Sequence, residues 1–140
     1  MEIVSGLLCD AATVREGLLH VLGAGISRIW RPVTPAPLNV VLAVVARMDE
    51  NDLVRPHEIN FEIAAAEGLV ARGVGALQTA RPERLEAGER LIVPFVNDLR
   101  NVMTPYMGRH TITLSADGDS AFEIEFWVLH PEEQILPSLG

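Results

Sequence analysis

The sequence predicts an all-β fold, an antiparallel β-sandwich of immunoglobulin-like general architecture with about seven to nine strands and little helix. Three observations carry that prediction. Short apolar runs alternate with polar residues at fairly regular intervals along the chain. The 11 glycines and 9 prolines gather largely between or at the ends of those runs, where they form turns. Near the C-terminus, Gly108 to Leu129 (GRHTITLSADGDSAFEIEFWVL) holds the clearest hairpin pattern, two alternating runs about Asp117-Gly118.

The 140 residues suit a single domain, 1–130, followed by a loosely held tail, 131–140, that contains Pro137 and ends on Gly140. A chain of this length buries about two-thirds of its unfolded surface, enough for a core without metal or disulfide. The single cysteine, Cys9, excludes an internal disulfide framework and fits a reducing compartment. No apolar run reaches the ~18 residues of a membrane span, and the N-terminus lacks the basic region of a signal peptide. Leu8 is too bulky to precede a lipidated cysteine. The expectation is a cytoplasmic protein without a membrane partner. A net charge of −8 argues against nucleic acid as a partner, because the phosphate backbone is held by basic surface.

Taken in order, Glu2 to Asp10 reads as a strand apolar on both faces. Thr13 to Leu22 is open between helix and hairpin. Thr13 and Glu16 have capping-box spacing and Val14, Leu18, Val21 and Leu22 recur at helical intervals. Gly17 interrupts that pattern, and Gly23-Ala24-Gly25 offers a tight reversal. Ile26 to Arg31 alternates in part. Pro32, Pro35 and Pro37 make a stiff extended connector. Leu38 to Met48, rich in valine and leucine, reads as a buried strand, and Asp49 to Pro56 as a polar loop. His57 to Ala66 alternates well, with Ile59, Phe61, Ile63 and Ala65 on one face and Glu58, Asn60 and Glu62 on the other. Glu67-Gly68 turns the chain into a weak strand, Leu69 to Leu77, loosened by Gly73 and Gly75. Arg81 to Glu89 is a charged loop. Leu91 to Val96 is a strand whose Pro94 suits an edge or a bulge. Asn97 to Met107 links to the closing hairpin.

The hairpin's register follows from its faces. Phe122, Ile124, Phe126 and Val128 share one side, with Glu123, Glu125 and Trp127 on the other. A two-residue Asp117-Gly118 loop would set Ile112 against Glu123, an apolar row against an acidic one, which sheets strongly disfavour. A three-residue loop, Ala116-Asp117-Gly118 with Gly118 left-handed, pairs Ile112 with Phe122 instead.

Three stretches resemble an uncharacterised bacterial family, a domain of unknown function. They are LLCDAATVREGLLHVLGAGISRIWRP, HEINFEIAAAEG and the segment from Leu85 to Val128. In that family a GKLxxLGGG hairpin precedes a sandwich that closes on a PGRYxxxxxxDG hairpin. Here Met107 and His110 replace the usual Pro and Tyr around Gly108-Arg109. The resemblance implies a hairpin at Thr13 to Leu22, with Leu18 to Leu22 as a strand. It implies a fold and no activity, so it assigns no site residue.

Reactive constellations are missing from the sequence. Cys9 lies in an apolar run, the usual setting of a buried structural cysteine, and no G-x-S-x-G elbow occurs. The four histidines, His20, His57, His110 and His130, lack metal-ligand spacing. A metal site would need distant strands to bring His57 and His110 together. Gly23-Ala24-Gly25 and Gly73-Val74-Gly75 precede no helix that could hold a phosphate. No catalytic residue, metal ligand or cofactor is assigned. Arg28, Trp30 and Arg31 form the one aromatic-arginine cluster, a composition favoured at interface hot spots. Trp127, on the polar face of the hairpin, is the second candidate contact, unless Ile135 and Leu136 fold back over it. The expected function is a non-catalytic binding or assembly module, acting on a protein partner or on a second copy paired through an edge strand. A small-ligand carrier and a metal-dependent hydrolase are the alternatives.

Overall fold

In the computed structural model, which describes residues 1–133, the period-two pattern becomes twelve strands and two short 3-10 turns. The strands are β1 (Glu2–Cys9), β2 (Ala11–Arg15), β3 (Leu18–Leu22), β4 (Arg28–Trp30), β5 (Ala36–Pro37), β6 (Val41–Met48), β7 (His57–Ala65), β8 (Gly68–Leu77), β9 (Leu91–Asp98), β10 (Met103–Thr104), β11 (Gly108–Ala116) and β12 (Asp119–Leu129). Nine of them have five residues or more, in line with the expected count. The 3-10 turns are Asp52–Val54, inside the polar loop, and Pro131–Glu133. Most of the tail therefore lies outside the described residues, as do Ile135 and Leu136, the segment considered as a cover for Trp127. Among the described residues no helix is long and apolar enough to cross a membrane.

Two sheets stack as a sandwich. One has strand order β1-β6-β9; the other runs β4-β12-β11-β7-β8. Their inner faces interlock Leu8, Leu42 and Val44 with Ile63, Ile112, Leu114 and Phe126, all of them buried. Burying a side chain of this kind contributes about 1.5–3 kcal/mol, so this layer supplies most of the driving force for folding. Strand β6 is covered on both sides. Its outer face packs Val41 and Ala43, with Cys9, beneath Leu19 and Val21 of the β2-β3 ribbon. Coverage on both faces is why its sequence, VLAVVARM, reads as a nearly continuous apolar run.

Thr13 to Leu22 is a hairpin, not a helix. Strands β2 and β3 pair antiparallel, with Val14 opposite Leu19, through a turn at Glu16-Gly17 whose φ angles are 54° and 74°. Both positive values mark a type I′ turn, which matches the strand twist. Pro94 sits on the edge strand β9, opposite Val45. The proline connector and the Asn97 to Met107 linker each contribute a two-residue strand, β5 and β10, which pair with one another.

The expected antiparallel sandwich is found, with one short parallel pair, β4 beside β12. One expectation is corrected. The closing hairpin has a two-residue turn rather than a three-residue loop. Ala116 pairs with Asp119, and Asp117 and Gly118 have φ of 51° and 89°. The ladder then slips: Ser115 pairs with Ser120 and Leu114 with Phe122, so Ala121 is an extra residue. That β-bulge supplies the one-residue shift for which a longer loop was invoked. Ile112 therefore faces Ile124, and the apolar faces of the two strands coincide.

Candidate functional site

Alternation along β4 and β12 decides what the outer face of the larger sheet presents. Arg28 pairs with Trp127, Ile29 with Val128 and Trp30 with Leu129. Ile29 and Val128 point into the core, so Arg28 and Trp127 stand together outside. On the other side of β12, Trp127 pairs with Arg109 of β11. One row across three strands thus reads Arg28, Trp127, Arg109. Trp127 keeps 43% of its surface exposed, and Arg28 and Arg109 are exposed beside it. The Nε of Arg109 donates to Oε1 of Glu125 at 2.7 Å. Arg28 has no ion-pair partner among the described residues. An indole flanked by guanidinium groups offers an apolar face and directional cationic donors in one spot.

The other two residues of the sequence-predicted surface are less available. Trp30 is half-buried. Arg31 turns its guanidinium onto the backbone: Nε donates to the carbonyl of Pro37 at 2.8 Å, Nη1 to that of Trp30 at 2.7 Å, and Nη2 to that of Leu38 at 2.9 Å. Its own N–H continues the parallel ladder to the Leu129 carbonyl at 2.9 Å. Arg31 is a clasp between β4 and the proline connector. It positions the row rather than belonging to it.

His57 and His110 are engaged in the structure itself. His57 pairs with Leu77 at one end of β7, while His110 lies opposite Ala65 at the other end. Eight residues of strand separate these positions by about 26 Å, so the two histidines cannot share a metal. His57 is buried, with Nδ1 2.6 Å from Oδ2 of Asp117 and Nε2 2.7 Å from the backbone carbonyl of Asp52. Both ring nitrogens face acceptors, and the shorter contact is the hydrogen bond to Asp117. That hydrogen bond, joined by one from the Glu58 N–H at 3.0 Å, holds the Asp117 carboxyl below the usual carboxylate range. Burial pushes the Asp52 carboxyl upward. The N-terminal ammonium at 2.8 Å and the Asp49 N–H outweigh it and hold the group below its ordinary value.

His110 is arranged differently. Nδ1 donates to the Gly108 carbonyl at 2.9 Å, which leaves Nε2 to accept from the Thr104 hydroxyl at 2.7 Å. Its ring stacks on Phe126 with centroids 4.9 Å apart, and burial favours the neutral form. Neither imidazole has a free nitrogen for a substrate or a metal. Cys9 is fully buried, its thiol donating to the Val41 carbonyl at 3.3 Å, and burial pushes its pKa up.

Between the sheets, a partly open cleft of about 240 Å³ lies at the β8-β9 edge, lined by Ile59, Phe61, Gly73, Leu77, Phe95 and Asn97. Phe61 lies so close over Gly73 that a Cβ there would run into its ring. The cleft is smaller than the ~300–1,000 Å³ of ordinary ligand pockets, and Asn97 is the one polar side chain in its wall.

The row and the His57-Asp117 pair escape sequence reading for one reason. Each joins residues from distant parts of the chain: 28 with 127, and 57 with 117. The Asp-Gly turn was visible, but not that its aspartate would close on a histidine sixty residues earlier.

A search of curated proteins gives no match. Among solved structures, Pseudomonas fluorescens alkylpurine DNA glycosylase AlkC bound to DNA containing an abasic site analog matches with a TM-score of 0.36 at 13% identity. The match covers 88% of this chain and 30% of that one, and a likeness so slight says nothing of function. A family model matches residues 4–129, and the chain belongs to that family, DUF6941, a family of unknown function.

Proposed function

We propose that the chain is a non-catalytic binding or assembly module of the cytoplasm, one that self-associates and offers a contact surface for protein. The observation that carries this reading is the exposed Arg28-Trp127-Arg109 row on the outer face of the five-stranded sheet. Tryptophan and arginine dominate the energetics of protein interfaces. The enzyme reading has less support, because His57, His110 and Cys9 are buried and spend their polar atoms on the protein's own groups. The ligand-carrier reading is weakened by the small size of the cleft between the sheets.

Size-exclusion chromatography with light scattering tests the proposal on the full chain and on Trp127→Ala at micromolar concentration. Wild-type protein is expected above the monomer mass of 15.3 kDa. Loss of the assembly in Trp127→Ala would make the row the contact between copies. Retention would leave the row free for a different protein. A clean monomer for both chains sinks self-association.

A further inference from the structure

We propose that two copies pair through the free edge of β8, antiparallel and centred on Val74, to make one continuous ten-stranded sheet. This deepens the self-association reading and rests on it.

Among the described residues, the two sheets of the sandwich end on four edge strands, β1, β9, β4 and β8. Three carry the devices that keep an unpaired edge from recruiting another chain. Strand β1 is interrupted by a bulge between Ile3 and Ser5. Strand β9 holds Pro94, which has no N–H to offer, and ends on Asp98. Strand β4 is three residues long. Strand β8 has none of these along most of its length. It runs ten residues, GLVARGVGAL, with no proline and a single charge. Its one irregularity is near its start, between the Ile63-Ala71 and Ala64-Leu69 pairs, which leaves Ala71 to Leu77 an unbroken ladder. Val74 on that stretch is 72% exposed.

The occupant of such an edge must be an extended segment of matching facial pattern, and β8 matches itself. Arg72, Val74 and Ala76 lie on the outer face, and Ala71, Gly73, Gly75 and Leu77 on the inner. A twofold axis normal to the sheet at Val74 sets Val74 against its counterpart. It also sets Arg72 against Ala76, Gly73 against Gly75 and Ala71 against Leu77. Every pair joins residues of the same face, whereas an axis between two residues would invert the faces. An axis at Arg72 would put like charges directly opposite. Centred on Val74, each arginine keeps Glu62 as its cross-strand neighbour, with Arg72 Nη2 3.5 Å from Glu62 Oε2, and the edge carries little net charge. The most exposed apolar side chain of the strand then packs on its own copy.

The experiment uses the full chain with Val74→Lys, Val74→Cys and Leu69→Cys. Light scattering should give twice 15.3 kDa for wild type and the monomer mass for Val74→Lys, with unchanged far-ultraviolet circular dichroism. Opposed residues of an antiparallel pair lie about 4.5–5.5 Å apart, within disulfide reach. Mild oxidation should therefore join Val74→Cys into a covalent dimer. Leu69→Cys, also exposed but outside the unbroken ladder, should stay monomeric in a denaturing gel. Should Val74→Lys fail to fold, the cysteine pair still decides. A dimer that survives Val74→Lys, or equal cross-linking at Leu69 and Val74, overturns the β8 interface and leaves self-association standing. A wild-type monomer overturns both.

Discussion

Replacing Asp117 by alanine removes three things at once. The ring of His57, whose side chain is wholly buried, loses its hydrogen-bonded carboxylate, the Glu58 N–H loses an acceptor, and a residue with a Cβ but no local hydrogen bond must hold φ at 51°. A hydrogen bond to a charged group contributes about 1.5–3 kcal/mol. Asp117 is 31% exposed, so solvent screening puts the His57 contact near the bottom of that range. The lost Glu58 bond adds about 1 kcal/mol, and a left-handed alanine about 1 more. The expected loss is roughly 3–4 kcal/mol at pH 7, a large share of the ~5–15 kcal/mol of an ordinary domain. Asp117→Asn should cost only about 1 kcal/mol. Its carbonyl still accepts from Glu58, asparagine tolerates the left-handed turn, and its amide can hydrogen-bond Nδ1 of His57. Urea unfolding followed by tryptophan fluorescence measures both. The pH dependence has a definite sign. The folded carboxyl titrates below its ordinary value, so its stabilisation is complete above the unfolded pKa of about 3.9 and is lost as pH falls through the folded value. The Asp117 contribution should therefore fade once pH falls below that range. An alanine variant within about 1 kcal/mol of wild type refutes the His57-Asp117 contact as a stabilising one.

Two further outcomes follow from the same coordinates. Cys9, buried with a raised pKa, should resist a thiol-specific disulfide reagent in the native state and react promptly in urea; rapid native labelling would contradict its placement beneath the β2-β3 ribbon. Glu16→Asn, at an exposed turn position with φ of 54°, should stabilise the protein by about 0.5–1 kcal/mol in thermal unfolding, because asparagine accepts the left-handed region more readily; a lower melting point would count against the type I′ turn.

The elements of this fold were legible where a face repeats within one strand. Ile59, Phe61 and Ile63 announced β7, and Phe122 to Val128 announced β12, because burial on one side imposes alternation locally. Register was harder. The hairpin's faces demanded a one-residue correction, and sequence alone could not tell a longer loop from a tight turn followed by a bulge at Ala121. Glu16-Gly17 hid a turn because glutamate is not a residue that advertises positive φ. The contact surface was half legible. Tryptophan and arginine marked Arg28, Trp30, Arg31 and Trp127 as unusual, yet the parallel pairing of β4 with β12 depends on packing between chain segments a hundred residues apart. That pairing unites Arg28 with Trp127, and the register of the closing hairpin adds Arg109 from β11. Arg31 left the group for a more local reason, three backbone carbonyls no more than seven residues away within reach of one guanidinium.

Strand order carries a consequence for how tightly such a protein could hold a target. Trp127 lies three strands in from β8 on the outer face. A twofold axis at β8 leaves both indoles on the same side of the joined sheet, about 34 Å apart across the strands and, because Trp127 lies about six residues along the strands from the level of Val74, about 40 Å apart along them, roughly 50 Å in all. A target carrying two matching segments on a linker of that reach would engage the second indole as an intramolecular event, at an effective concentration of about millimolar. Two weak contacts would then add to one durable attachment, and a single-site target would be released quickly. The arrangement of strands, more than the strength of either patch, would set which targets are retained.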